Sequence, residues 1–225
     1  NFNYNELEKI GWKTNNHLFE IIDTKNPFKM YFDIDKRFIS IEDDKKTLET
    51  LKELIKDTFK FDITESMSVS YGKGTKDNYI KCSFHIVINN GYYFKNMVEC
   101  KKYFTNLNYL VITNDKYECL RNGILDFQPY KENQAFKLPY QTKAFKKIKQ
   151  IPYNKNDTLK EFLITQLNTE NIKYYNVEEF KDISDKKKVF KCANGQKVSF
   201  QFDEAIIIKE YILAIGVNYK LPKVK

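Results

Sequence analysis

The sequence predicts an α+β fold, and three observations carry that prediction. Segments that alternate apolar and polar residues are interspersed with segments whose apolar residues recur at helical spacing. Their order lacks the regular strand–helix–strand period of a doubly wound sheet. Two successive alternating segments are spaced as a hairpin, which makes the sheet largely antiparallel or mixed.

Each element has its own signal. Phe28 to Asp35 follows Pro27, alternates bulky apolar with polar positions and reads as a strand ending in acids. Asp43 to Phe59 carries Leu48, Leu51, Leu54, Ile55 and Phe59 at helical spacing with charges between them, an amphipathic helix. Ser66 to Tyr71 reads as a short strand closed by Gly72-Lys73-Gly74, and Tyr79 to Ile88 as a longer one closed by Asn89-Asn90-Gly91. Tyr93 to about Leu110 is expected to be a second helix, Ile124 to Phe127 a short strand, Thr158 to Leu167 a third helix and Ala205 to Ile215 a fourth. There is no internal repeat and no Pro/Gly/Ser-rich linker. The chain, 1–225, therefore reads as a single unit.

With 225 residues, 42% of them hydrophobic and 16% aromatic, the chain is long enough to bury a sizeable core. The formal charge of +8, from 38 basic and 30 acidic residues, suits a polyanionic partner. From Lys137 to Lys155 the sequence has six lysines and no acidic residue. Such a run is either a solvated loop or a contact to a phosphate backbone. Cys82, Cys100, Cys119 and Cys192 lie far apart without a C-x-x-C pair, and His17 and His85 are not spaced to complete a zinc site with them. That usage fits a reduced, intracellular protein, cytoplasmic or nuclear. No signal or transit peptide is visible at Asn1–Glu6, and the start reads as that of an excised fragment. The apolar stretch Ala205–Ile208 is too short to span a bilayer, so no membrane partner is expected.

Three constellations carry chemistry. Asp33 and Asp35 stand two apart on a strand, so both carboxylates emerge on one face while Phe32 and Ile34 take the other. Such a pair repels itself without a cation and offers hard oxygen ligands to Mg²⁺ or Mn²⁺. The plain alternative is a strand that ends in a solvated Asp35-Lys36-Arg37 turn. In Lys81–Ile88 the same alternation sets Lys81, Ser83 and His85 on one face and Cys82, Phe84 and Ile86 on the other. A cation, a hydroxyl and an imidazole are what a polyphosphate needs; a solvated strand with one structural histidine has the same pattern. Asp126-Phe127-Gln128-Pro129-Tyr130, followed by Gln134–Lys143, adds a carboxylate and two lysines with aromatics between.

Taken in order, these residues resemble a family. Tyr31-Phe32-Asp33-Ile34-Asp35, then Lys81-x-Ser83-x-His85, then Asp126 with Lys137-Leu138 and Lys143 behind it, is similar to the three signature motifs of the archaeo-eukaryotic primase superfamily. The likeness is to the branch of the eukaryotic primase-polymerase and the primases of large DNA viruses. There the first motif is D-x-D or D-x-E and the second S-x-H, often with a Lys two residues earlier. The third is an Asp followed by a segment of the type R-N-F-R-L-x-x-x-x-K. The resemblance runs from Phe28 to Lys143, about half the chain. Each motif alone is short and common; three in the right order with the right internal spacings are not. Two features depart from the pattern. Gln134 and Lys137 replace the two Arg of the third motif, and Lys137 keeps the charge without the planar fork. The Cys/His zinc module that follows the core in many relatives is not found in these residues.

The resemblance implies a two-part core with an RNA-recognition-motif-like sheet and a metal site in the central cleft, the motifs within 28–143 and a helical, basic completion over 144–225. It implies that Asp33, Asp35 and Asp126 hold two divalent ions, Mg²⁺ or Mn²⁺, and carry catalysis. Lys81, Ser83, His85, Lys137 and Lys143 would bind the nucleoside triphosphate, and Lys146, Lys147 and Lys149 template phosphates. Single-stranded DNA template, primer and NTP or dNTP are the partners implied, within a replication, repair or defence assembly that can include a helicase. Two other classes stay open on the residues alone. One is a manganese-dependent nucleotide-sugar transferase, which also uses D-x-D but needs neither Lys81-x-Ser83-x-His85 nor Asp126. The other is a non-catalytic nucleic-acid-binding module.

Overall fold

The computed structural model describes residues 4–14, 17–38, 43–59, 63, 66–76, 79–121, 124–126, 130–131, 133–142, 148–168, 172–178, 188–191 and 197–200. Its elements in chain order are α1 (Tyr4–Ile10), β1 (Phe19–Ile21), β2 (Phe28–Lys29), β3 (Tyr31–Phe38), α2 (Asp43–Phe59), β4 (Met67–Lys76), β5 (Tyr79–Ile88), β6 (Tyr92–Phe94) and α3 (Met97–Thr113). After α3 come a 3₁₀ helix (Asp115–Leu120), β7 (Leu125–Asp126), β8 (Ala135–Lys137), β9 (Ile151–Pro152), α4 (Leu159–Phe162), β10 (Lys173–Tyr174), β11 (Lys188–Lys191) and β12 (Lys197–Phe200). The fold is α+β with mixed and antiparallel sheets. The central sheet has five strands in the order β7-β3-β5-β4-β9, each antiparallel to its neighbours. Smaller sheets pair β1 with β8, β11 with β12, and β10-β6-β2, in which β10 and β6 are parallel.

The period-two pattern divides the central sheet into two unlike faces. Phe32, Ile34, Cys82, Phe84 and Ile86 are fully buried on one face, under the helices that the apolar spacing demanded. The Phe32 and Phe104 rings meet at 5.3 Å, and Lys36 Nζ donates to Thr47 Oγ1 at 3.0 Å, so α3 and α2 both cover this side. Each large apolar side chain fully buried here contributes about 1.5–3 kcal/mol. The α3 helix begins where Asn96 accepts the Glu99 amide at 3.1 Å and Glu99 accepts the Lys95 amide at 3.1 Å, an N-cap with a reciprocal acid.

A second core forms from Trp12, Leu138, Leu159, Phe162 and Leu163, with Tyr4, Leu7, Leu18 and Tyr140 against it. Gln141 ties it together: Nε2 donates to the carbonyls of Trp12 (2.7 Å), Thr14 (2.8 Å) and Pro139 (3.3 Å), and Oε1 accepts the Leu18 amide at 3.2 Å.

The helix over Asp43–Phe59 and the strand over Tyr79–Ile88 have the expected bounds, and β4 pairs with β5 as the expected hairpin. Several boundaries differ. The strand expected over Phe28–Asp35 is broken at Met30 and runs beyond the acids to Phe38, so Asp35-Lys36-Arg37 is not a terminal turn and Lys36 is buried. The glycines do not close β4, which continues through Gly72-Lys73-Gly74 to Lys76. Tyr93 belongs to β6, and the second helix starts at Met97. The third helix shrinks to Leu159–Phe162, because the amides of Ile164 and Thr165 turn to the buried carboxylate of Glu20 at 2.8 and 2.7 Å. The fourth, Ala205 to Ile215, lies outside the described residues. Among the described residues no helix is long and apolar enough to cross a membrane.

Candidate active site

The register of β3 brings the three constellations together on the face opposite the helices. Asp33 is paired with His85 of β5 on one side and with Asp126 of β7 on the other, Asp35 is paired with Ser83, and Arg37 with Lys81. Directly opposed residues on neighbouring strands hold their side chains on one face, with Cβ atoms about 4.5–5.5 Å apart. Residues 33, 35, 81, 83, 85 and 126, scattered over nearly a hundred positions, thus form one polar patch.

Lys81 Nζ donates to Asp35 Oδ2 at 2.5 Å. Burial alone would push the Asp35 carboxyl up. Hydrogen bonds from Lys81 and Ser83, with the charges of Lys81 and His85, outweigh it and hold Asp35 below the usual carboxylate range. His85 Nε2 lies 3.7 Å from Asp33 Oδ1. Its Nδ1 is 3.0 Å from the Lys137 carbonyl, and its ring lies 4.3 Å from that of Phe136, tilted by 30°. The Asp33–Asp126 pairing sets two carboxylates directly across adjacent strands, an arrangement that costs stability unless positive charge offsets it.

Among the described residues no three His, Cys, Asp or Glu side chains are placed together to hold a metal ion, so Asp33, Asp35 and Asp126 do not form a ready-made site. An open carboxylate set still suits Mg²⁺, which keeps waters and takes substrate phosphates in its remaining positions. Asp33, Asp35 and Asp126 match such an ion in ligand type, all hard oxygens on one face, and not in a closed placement.

Of the lysines expected to bind phosphates, Lys81 is in the patch and Lys137 lies beside it, buried, reaching His85 through its main-chain carbonyl. Lys149 stands with Nζ 5.5 Å from the centroid of the Tyr140 ring. Lys143, Lys146 and Lys147 lie outside the described residues.

Four residues that the sequence did not single out shape this face. Gly72 and Gly74 pair with Ser83 and Lys81, and they let the segment 148–150 lie directly on the sheet. A Cβ at Gly72 would stand 3.0 Å from the Lys149 carbonyl oxygen. Glycines two apart within an alternating strand are the signal for such an approach. Gln150, fully buried, reaches the Ser83 carbonyl at 3.4 Å and accepts the Tyr140 amide at 2.5 Å through its own carbonyl. Phe136 stands at the Phe of the third motif, but nothing local in the sequence points to its contact with His85.

No protein-family model matches this chain. The chain is similar to the uncharacterized protein ORF49 of Ostreid herpesvirus 1 (isolate France), 29% identical over an alignment 168 residues long that covers 65% of this chain and 15% of that protein. It thus spans only a small part of that relative's length.

Proposed function

We propose that this polar face is the active site of a metal-dependent primase-polymerase, which adds nucleotides to a growing strand on a single-stranded DNA template. The observation that supports this reading best is the strand register: Asp33 is opposed by both Asp126 and His85, and Asp35 by Ser83. A D-x-D strand end of the nucleotide-sugar transferase type requires no such convergence.

In this reading Asp33, Asp35 and Asp126 hold two divalent ions, Mg²⁺ or Mn²⁺. When bound, the ions supply charge neutralisation at the phosphates and favour the ionised form of the attacking hydroxyl. Ser83 donates to the triphosphate tail, and so does His85 through Nε2 when its ring carries both protons; together they fix the tail against the strand. Lys81, which neutralises Asp35 here, carries its charge beside the same tail. The primer 3′-oxygen bonds to the α-phosphorus while the bond to the bridging oxygen breaks, and pyrophosphate leaves in line. Lys137 and Lys143 add charge, and Lys146, Lys147 and Lys149 contact template phosphates. The central sheet with its helical layer would be one half of the two-part core of that superfamily, with the RNA-recognition-motif-like sheet and the cleft.

The test is extension of a labelled primer, and synthesis on bare single-stranded template, with dNTPs and NTPs separately in Mg²⁺ and in Mn²⁺. Metal-dependent addition is the expected result. No addition under any of these conditions, with thermal stabilisation by a nucleotide sugar and not by a triphosphate, would overturn the reading.

A further inference from the structure

We infer that β8 is the positioning element for His85: the Phe136 ring sets the plane of the imidazole, and the Lys137 main-chain carbonyl fixes its tautomer with the proton on Nδ1. The inference rests on the proposed function only for its kinetic consequence.

The geometry carries it from two independent sides. A carbonyl oxygen can only accept a hydrogen bond, so the Nδ1 that lies 3.0 Å from the Lys137 oxygen must bear a proton in whichever charge state the ring adopts. Nε2 is thereby the nitrogen turned to the carboxylate face, 3.7 Å from Asp33 Oδ1. The ring plane is held by Phe136, whose centroid lies 4.3 Å away at a tilt of 30°.

Phe136 is itself braced. Its ring meets Tyr31 edge-on at 5.2 Å, and its backbone is paired with Glu20 of β1. The Glu20 carboxylate in turn accepts the amides of Ile164 and Thr165 and the Thr165 hydroxyl at 2.7–2.8 Å. A short two-stranded ribbon, anchored at a buried carboxylate, therefore fixes the one imidazole of the patch. Two consequences follow for the third sequence motif. Its Phe136 acts through its ring, and its Lys137 acts on His85 through the backbone, so replacing the Lys137 side chain leaves the tautomer unchanged.

The test is long-range ¹H–¹⁵N NMR of the full chain labelled at histidine. Only two histidines are present. His17→Asn assigns them, since His17 sits at φ 56° and Asn tolerates that left-handed backbone. Between about pH 6 and 9 the wild type and Lys137→Met are expected to show a protonated, pyrrole-type Nδ1 at His85. Phe136→Leu is expected to populate the other tautomer and to lose tenfold or more in kcat/KM for nucleotide addition, with kcat falling along with the rise in KM.

A pyridine-type Nδ1 in the wild type overturns the inference, whatever happens to the variants. So does a folded Phe136→Leu with unchanged tautomer and kinetics. If Phe136→Leu fails to fold, the wild-type and Lys137→Met spectra still decide. A wild-type protein with the expected tautomer but no nucleotide addition leaves this positioning intact and defeats the proposed function instead.

Discussion

Replacing Gly72 with alanine tests whether the segment 148–150 is pressed onto the candidate site. The added Cβ would lie 2.8 Å from Ile148 Cγ2 and 3.0 Å from the Lys149 carbonyl oxygen, whereas non-bonded carbons settle at about 3.5–4.0 Å. The Ile148 side chain must therefore shift outright, and the Lys149 main chain, which has no rotamer to change, must give by a few tenths of an ångström. Over-packing of this kind costs about 1–3 kcal/mol, and the reduced freedom of the unfolded chain returns about 0.4–1 kcal/mol. A net loss of about 1–2 kcal/mol should lower Tm by roughly 2–8 °C in a chain of this size. Gly74→Ala provides the control. The three atoms nearest its Cβ would all belong to the Ile148 side chain, Cγ1 at 2.6 Å, Cδ1 at 3.0 Å and Cβ at 3.9 Å. In an Ile148→Ala background Gly74→Ala should therefore become nearly neutral, while Gly72→Ala should remain destabilising against the Lys149 oxygen. Urea melts of the single and double variants give the coupling energies. A Gly72→Ala protein as stable as the wild type would refute the close approach.

Three further outcomes are expected. His85→Ala should raise the KM for nucleotide and cut catalytic efficiency tenfold to a hundredfold with little change in template affinity, while Phe84→Ala, fully buried on the helix face, should lose about 3 kcal/mol or more of stability without a selective nucleotide effect; an early-melting His85→Ala with normal kinetics would make the histidine structural. Burial pushes Lys29 down to about 8 against the pull of Glu20, so between about pH 8 and 10.5 the unfolded chain holds a proton that the folded one has shed. Wild-type stability relative to Lys29→Met should therefore rise with pH across that window, and a flat or falling difference in chemical melts would contradict it. Binding to single-stranded DNA should weaken steeply with salt, and removing the charges of Lys146, Lys147 and Lys149 together should flatten the slope by about one unit or less for each phosphate no longer neutralised. An unchanged slope would mark the run as a solvated face.

Much of the site was legible because period-two alternation is a strong local signal. It set Asp33 and Asp35 apart from Phe32 and Ile34, and Lys81, Ser83 and His85 apart from Cys82, Phe84 and Ile86; the register and the helix contacts of Phe32 and Lys36 agree with that split, although Ser83 and His85 are buried as well. Register was not legible, since nothing local says that Asp33 faces His85 and not its neighbour. Gly72 and Gly74 were read as a turn because turn glycines and close-approach glycines look alike in sequence. The helix expected after Thr158 was cut short by Glu20, nearly 140 residues earlier, a competition for amides that no local window contains. The hold on His85 comes partly from a carbonyl, a group that every residue possesses.

The central claim stands on Asp33, which β3 sets between His85 and Asp126. The most direct measurement is the rate of nucleotide addition by Asp33→Ala beside the wild type in Mg²⁺ and Mn²⁺, with melting curves for both. The account predicts that addition is abolished while Tm stays within about 2 °C, because the carboxylate serves no packing role. Wild-type rates in the Asp33→Ala protein would contradict it.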